Sequence, residues 1–241
     1  MGTNTGNEDR YDCDSRSKRG RMPSAGQRRV CMIHEQPVSF RRGAARLEGL
    51  YAAAQGTIGA VISHPHPLMG GDMRNPVVET LTESLFAGGL STLRFNFRGV
   101  GMSEGAFDEG HGEQEDVLAA VTYLERQGIR ETVLAGYSFG AWVNATAILR
   151  KNLLPTVLVS PPINLFPFNF ELIREKVGLM ICGDQDPYCP LDEVRNAAAQ
   201  VSCRLEILPD ADHFLIGKGA ELAACIGSFL MRLRPKKEFI I

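Results

Sequence analysis

The sequence predicts an α/β fold, a mostly parallel twisted sheet of about eight strands with helices on both faces. Three observations predict it. From residue 59 onward, strand-like runs alternate with segments of helical period, and strands that alternate with helices form a parallel sheet covered on both sides. The stretch 131–151, ETVLAGYSFGAWVNATAILRK, reads as a buried strand, a turn too tight for anything but small residues, and a helix. At 241 residues the chain suits one domain large enough to bury such a sheet.

Residues 1–31 hold Arg, Ser, Gly, Asn and Asp with almost no apolar side chains, a composition unable to order itself by burial. A disordered tail is expected there, a domain over 32–235, and a short tail over 236–241. Glu8, Asp9, Asp12 and Asp14 argue against an organelle transit peptide, which is poor in acids. Met32 could serve as a start. PVSFRR and ARLEGLYAAA then read as an antiparallel pair at a sheet edge. GAVIS (59–63) leads to a helix around 77–87, LRFNF (93–97) to one around 113–127, and TVLAGY to the helix after Ser138. TVLVS (156–160), VGLMICG (177–183) and RLEIL (204–208) supply further strands, with helices near 191–200 and 220–233.

Composition bounds the partners. Basic and acidic residues number 26 and 28, for a formal charge of −2, so no global field attracts nucleic acid or an acidic membrane. The cysteines at 13, 31, 182, 189, 203 and 225 form no C-x-x-C pair and read as reduced. There is no membrane-length apolar window and no signal-peptide core, so a cytoplasmic location is expected. Oligomeric state is not legible.

Ligands of such a sheet bind beyond the carboxyl ends of its strands, which singles out loops 63–71, 98–105, 183–190 and 209–214 together with Ser138. Gly136-Tyr137-Ser138-Phe139-Gly140 is a G-x-S-x-G elbow. Its glycines let strand and helix pass closely while the serine is held strained and exposed, a nucleophile candidate. Gly101-Met102-Ser103-Glu104-Gly105 fits the same pattern, but the glycine-punctuated residues after Ser103 have no helical period, so Ser103 reads as a loop serine. A serine nucleophile needs a base, and the base an orienting group. His213, in PDADHF just past the last strand, is the candidate base. GDQDPYCP supplies Asp184 and Asp186. Asp186 is favoured, because Pro187 presents it from an extended loop whereas Asp184, nearer the strand, suits a backbone-satisfying role.

GYSFG, GDQDP and DADHF, in that order, resemble an α/β-hydrolase over roughly residues 36–233. More narrowly, SHPHPLMGG with RFNFRGVGMSEGAFDEGHGEQED resembles a group of small bacterial esterases or acyl hydrolases. The resemblance implies an oxyanion hole from the N–H groups of Phe139 and of His66, with Leu68 in reserve, since Pro65 and Pro67 have no N–H. It implies acyl transfer to water and no cofactor. Lidded members insert a cap after the strand following the nucleophile helix. Here that connection, PPINLFPFNFELIREK, is too short for one, so no large cap domain is expected. Its Leu165, Phe166, Phe168 and Phe170 either pack on the sheet or wall a shallow acyl pocket. Leu68, Phe166 and Phe168 are the pocket candidates, for acyl groups of around two to six carbons.

The substrate could be an ester, a thioester or an amide, since the same triad serves all three. Two rival readings stand beside these. His64 and His66 could hold a metal with Asp186 and His213, or the fold could bind a ligand and catalyse nothing.

Overall fold

A computed structural model of the protein describes residues 33–151 and 153–233. The tails expected over 1–31 and 236–241 lie outside the described residues. β1 (Gln36–Arg42) and β2 (Ala45–Ala52) pair antiparallel, the first residue of one against Tyr51 of the other. The chain then alternates through β3 (Ile58–Ser63), α1 (Pro76–Ala87), β4 (Ser91–Phe95), α2 (His111–Arg126), β5 (Glu131–Tyr137), α3 (Phe139–Ala147) and β6 (Thr156–Val159). β7 (Val177–Gly183), α4 (Leu191–Val201), β8 (Arg204–Leu208) and α5 (Gly219–Leu233) complete it. The eight strands form one sheet in the order β1-β2-β4-β3-β5-β6-β7-β8. β2 runs antiparallel to both its neighbours, and every other pair is parallel.

Two apolar layers enclose the sheet because successive strand side chains point to opposite faces. Ala60 and Ile62 face α1 and α5, through Val78, Leu81, Leu85 and Ile226. Val61 faces the opposite layer, with Val117 and Leu124 of α2, Val143 of α3 and Val194 of α4. Helix starts are set by local chemistry. Asn75 caps α1 by accepting the Val77 N–H at 3.0 Å with Pro76 in the first position, and the buried Glu113 carboxylate accepts the Gly110 N–H at 2.8 Å to start α2.

The fourth strand sits two residues earlier than LRFNF suggested. Phe97 leaves the ladder because its N–H goes to the His64 ring. Asn96 keeps a backbone bond to β2, its N–H donating to the Glu48 carbonyl at 3.1 Å, while its side chain takes the Met73 N–H and donates to the Glu48 carboxylate. Between β6 and β7 the chain makes only turns and loop, and among the described residues no cap rises over the sheet. Among the described residues no helix is long and apolar enough to cross a membrane.

The strand order also fixes where a ligand belongs. From β3 the chain moves to β4 on one side, then returns to β5 on the other. At such a reversal the loops beyond the carboxyl ends part and leave a crevice. The loop after β3 and Ser138 after β5 flank it.

Candidate active site

Ser138 links β5 to α3 with φ 55° and ψ −120°, a combination that a residue with a side chain holds only under strain. Its N–H donates to the Val159 carbonyl of the next strand at 2.9 Å, and its carbonyl accepts from Ala141 at 2.9 Å to begin the helix. Two glycines make the turn possible. A Cβ at Gly136 would stand 2.4 Å from the Gly140 carbonyl oxygen, and one at Gly140 would stand 2.5 Å from that of Ser63. Strand, helix start and the loop after β3 therefore meet backbone to backbone.

His213 follows β8, and its Nε2 lies 2.8 Å from Ser138 Oγ. Its Nδ1 lies 2.8 Å from Asp186 Oδ2 and 3.0 Å from Oδ1. Both residues are buried, the aspartate behind the histidine. An acceptor-only carboxylate holds the imidazole proton on Nδ1, which leaves the Nε2 lone pair facing the serine. The Tyr188 N–H donates to Asp186 Oδ1 at 2.9 Å, and the Tyr137 hydroxyl donates to the His213 carbonyl at 2.9 Å. Burial, reinforced by nearby Asp186, pushes the Tyr137 phenol up, so it stays a donor.

The other candidates are placed differently. Asp184 accepts the Ala211 N–H at 3.2 Å and so ties the loop after β7 to the one after β8. Ser103 is buried, donates to the Asn96 carbonyl at 2.7 Å and accepts the Glu48 N–H at 3.1 Å. It fastens the loop after β4.

The loop after β3 carries the two histidines in unlike settings. His64 Nε2 accepts the Phe97 N–H at 3.0 Å, so Nδ1 carries the proton and gives it to the Pro65 carbonyl at 2.6 Å. Burial brings its pKa down to about 4. His66 packs its ring 4.9 Å from both Phe107 and Phe139, and burial lowers its pKa also. Its Nδ1 accepts the Leu68 N–H at 3.2 Å. Leu68 is thereby spent as a reserve donor, whereas no described residue accepts from the N–H of His66 or of Phe139. The metal alternative meets a direct obstacle, since the one lone pair of neutral His64 is already occupied by an amide. Among the described residues no three His, Cys, Asp or Glu side chains gather as a ligand set.

A cavity of about 430 Å³ opens in front of Ser138, lined by His66, Phe139, Leu165, Phe166, Tyr188 and Phe214 among others. Phe166 reaches it and stacks on Trp142 at 4.7 Å between ring centres. Leu68 and Phe168 do not line it. Leu68 is 73% exposed, and Phe168 stacks on Phe170 at 5.5 Å while packing against the core. Sequence reasoning passed over Tyr137, Tyr188 and Phe214. Each stands within two residues of Ser138, Asp186 or His213, and that adjacency was the available signal.

No protein-family model matches the chain. An uncharacterised protein of Rickettsia prowazekii is 32% identical over 212 residues, which make up 82% of this chain and 89% of that protein. Among solved structures, a serine hydrolase without a lid from Xanthomonas campestris is 26% identical, with 84% of this chain and 96% of that one covered at a TM-score of 0.76. An alpha-beta serine hydrolase homologue from Coxiella burnetii is 33% identical, with 80% and 96% covered at a TM-score of 0.74. One third identity along nearly the whole of that protein, on the same sheet, makes this chain a member of the α/β-hydrolase family.

Proposed function

We propose that the protein is a serine esterase that hydrolyses small acyl esters through an acyl-enzyme. The observation that carries this reading is the unbroken hydrogen-bonded chain from Ser138 Oγ through His213 to Asp186 at the mouth of a cavity. His213 Nε2 takes the Ser138 proton while Oγ bonds to the ester carbon, and Asp186 stabilises the imidazolium that results. The oxyanion is held by the N–H groups of Phe139 and His66 and by the positive end of α3. As the tetrahedral intermediate collapses, His213 gives its proton to the departing alcohol oxygen. Water then repeats the sequence on the acyl-serine and releases the acid. Phe166 and Leu165 bound the space open to the acyl group, which fits chains of around two to six carbons. Each methylene inside the wall adds about 0.8 kcal/mol, and those beyond it add nothing.

Fluorophosphonate labelling with peptide mapping tests the assignment. The label should sit on Ser138, and Ser138→Ala should lose labelling and about 10⁶ in kcat, while Ser103→Ala keeps most activity. Asp186→Asn should harm turnover far more than Asp184→Asn, because only the former sets the imidazole tautomer. Label on another residue, equal losses at the two aspartates, or a kcat/KM maximum at ten or more acyl carbons would each overturn part of the reading.

A further inference from the structure

Beside the Ser138 cavity lies a second one of about 390 Å³, and the two share Asn75, Tyr137 and Phe214 as a common wall. Its lining is mainly apolar, from Val77, Leu215, Ile216 and Leu222, with Thr80 at one side. One side of the space is the connection from β8 to α5, through Phe214 to Lys218, and the other is α1 and α5. Leu215 is buried, the Lys218 N–H closes a turn onto its carbonyl at 3.1 Å, and Val77 and Leu222 belong to the packed helices α1 and α5.

The chemistry of ester cleavage distinguishes the two ends of the Ser138 cavity. Its oxyanion end carries Phe166, whose ring lies 5.7 Å from Phe139 and 6.4 Å from His66. Its histidine end carries Phe214, which stands edge-on to His213 at 5.9 Å. The leaving oxygen must reach His213 Nε2, because that atom returns the proton to it. Whatever is attached to that oxygen departs on the histidine side, where Tyr188, 4.9 Å from the His213 ring, and Phe214 adjoin, and of these two only Phe214 also lines the second cavity. Phe214 is 62% exposed, an apolar surface left uncovered beside the catalytic histidine, as a binding wall would be.

Resting on the esterase reading, we propose that the second cavity is the leaving-group site, that the substrate is an ester of a bulky apolar alcohol, and that Phe214 determines this specificity by packing against it. The acyl part is short and the alcohol part large.

The test uses butyrate esters of two alkyl alcohols of similar acidity, ethanol and cyclohexylmethanol, so that bond chemistry is constant and only size differs. Wild-type kcat/KM should favour the cyclohexylmethyl ester at least tenfold, consistent with roughly fourfold per buried methylene as an upper bound. Phe214→Ala, at an exposed position outside the core, should bring that ratio below threefold. Thr80→Trp, which fills the cavity from α1, should do the same. The loss should fall on acylation and spare breakdown of the butyryl-enzyme, from which the alcohol has already gone. A wild type indifferent to the alcohol overturns the proposal. So do variants that change the preferred acyl length instead of the preferred alcohol. Wild-type protein that cleaves no ester at all removes the esterase reading itself, and this inference with it.

Discussion

His64 shows how far one side chain can depart from its ordinary chemistry. Its ring is fully buried, takes a backbone N–H and gives its own proton to a carbonyl, and burial moves its pKa from 6.5 to about 4. The unfolded chain therefore binds this proton more tightly than the folded one. The resulting stability is complete above pH 6.5 and disappears as pH falls through about 4, amounting to about 3 kcal/mol. Urea unfolding followed from pH 7 to pH 4 should show this loss, and His64→Gln, whatever its absolute stability, should give a flatter profile. An equal slope in both proteins would mean that His64 titrates normally in the fold. The sequence alone could not separate His64 from His66, because H-P-H presents two like rings whose fate depends on what lies across the crevice. The meeting of Ser138, Asp186 and His213 was legible for the opposite reason. Each lies in the connection beyond the carboxyl end of a parallel strand, Ser138 directly after β5, Asp186 and His213 a few residues after β7 and β8, and such connections share one edge. Leu68 and Phe168 lay in irregular segments, where no period tells which way a side chain faces.

At the scale of elements the elbow is the most constrained feature. The N-terminus of α3 touches the loop after β3 through the bare Cα of Gly140, and a methyl there would lie 2.5 Å and 2.6 Å from the Ser63 and His64 carbonyl oxygens. Both obstacles are backbone, so neither can rotate away. Gly140→Ala should cost about 3 kcal/mol or more, read from thermal or urea unfolding, since relief requires moving α3 or the loop. Gly227, on the exposed side of α5, provides the contrast, because a methyl added there would meet nothing within 4 Å. Gly227→Ala should be neutral or stabilise by up to about 1 kcal/mol. Similar penalties at the two positions would show that the elbow has slack. Strands and helices were legible as types because their periods are long enough to read. The end of β4 was not, since the Phe97 N–H is diverted to a histidine ring 33 residues away in sequence.

For the whole molecule, alternation of strand and helix was sufficient to imply a parallel sheet in two apolar layers, but the order of the strands is set by pairings that no local pattern encodes. That order has a consequence for how the protein acquires activity. Ser138 lies 75 residues from His213, and Asp186 lies 27 residues from it. His213 depends on β8, the strand at the far edge of the sheet, which among the described residues pairs with β7 alone. Contacts so distant in sequence form late, after loop closure has brought the segments together. On the esterase reading proposed above, helical circular dichroism should recover before ester hydrolysis does in refolding from urea, and activity should appear with the last kinetic phase. Simultaneous recovery of both signals would place β8 in the early nucleus. Among the described strands the sheet can thus assemble from β1 onward, while the meeting of Ser138, Asp186 and His213 waits for β8.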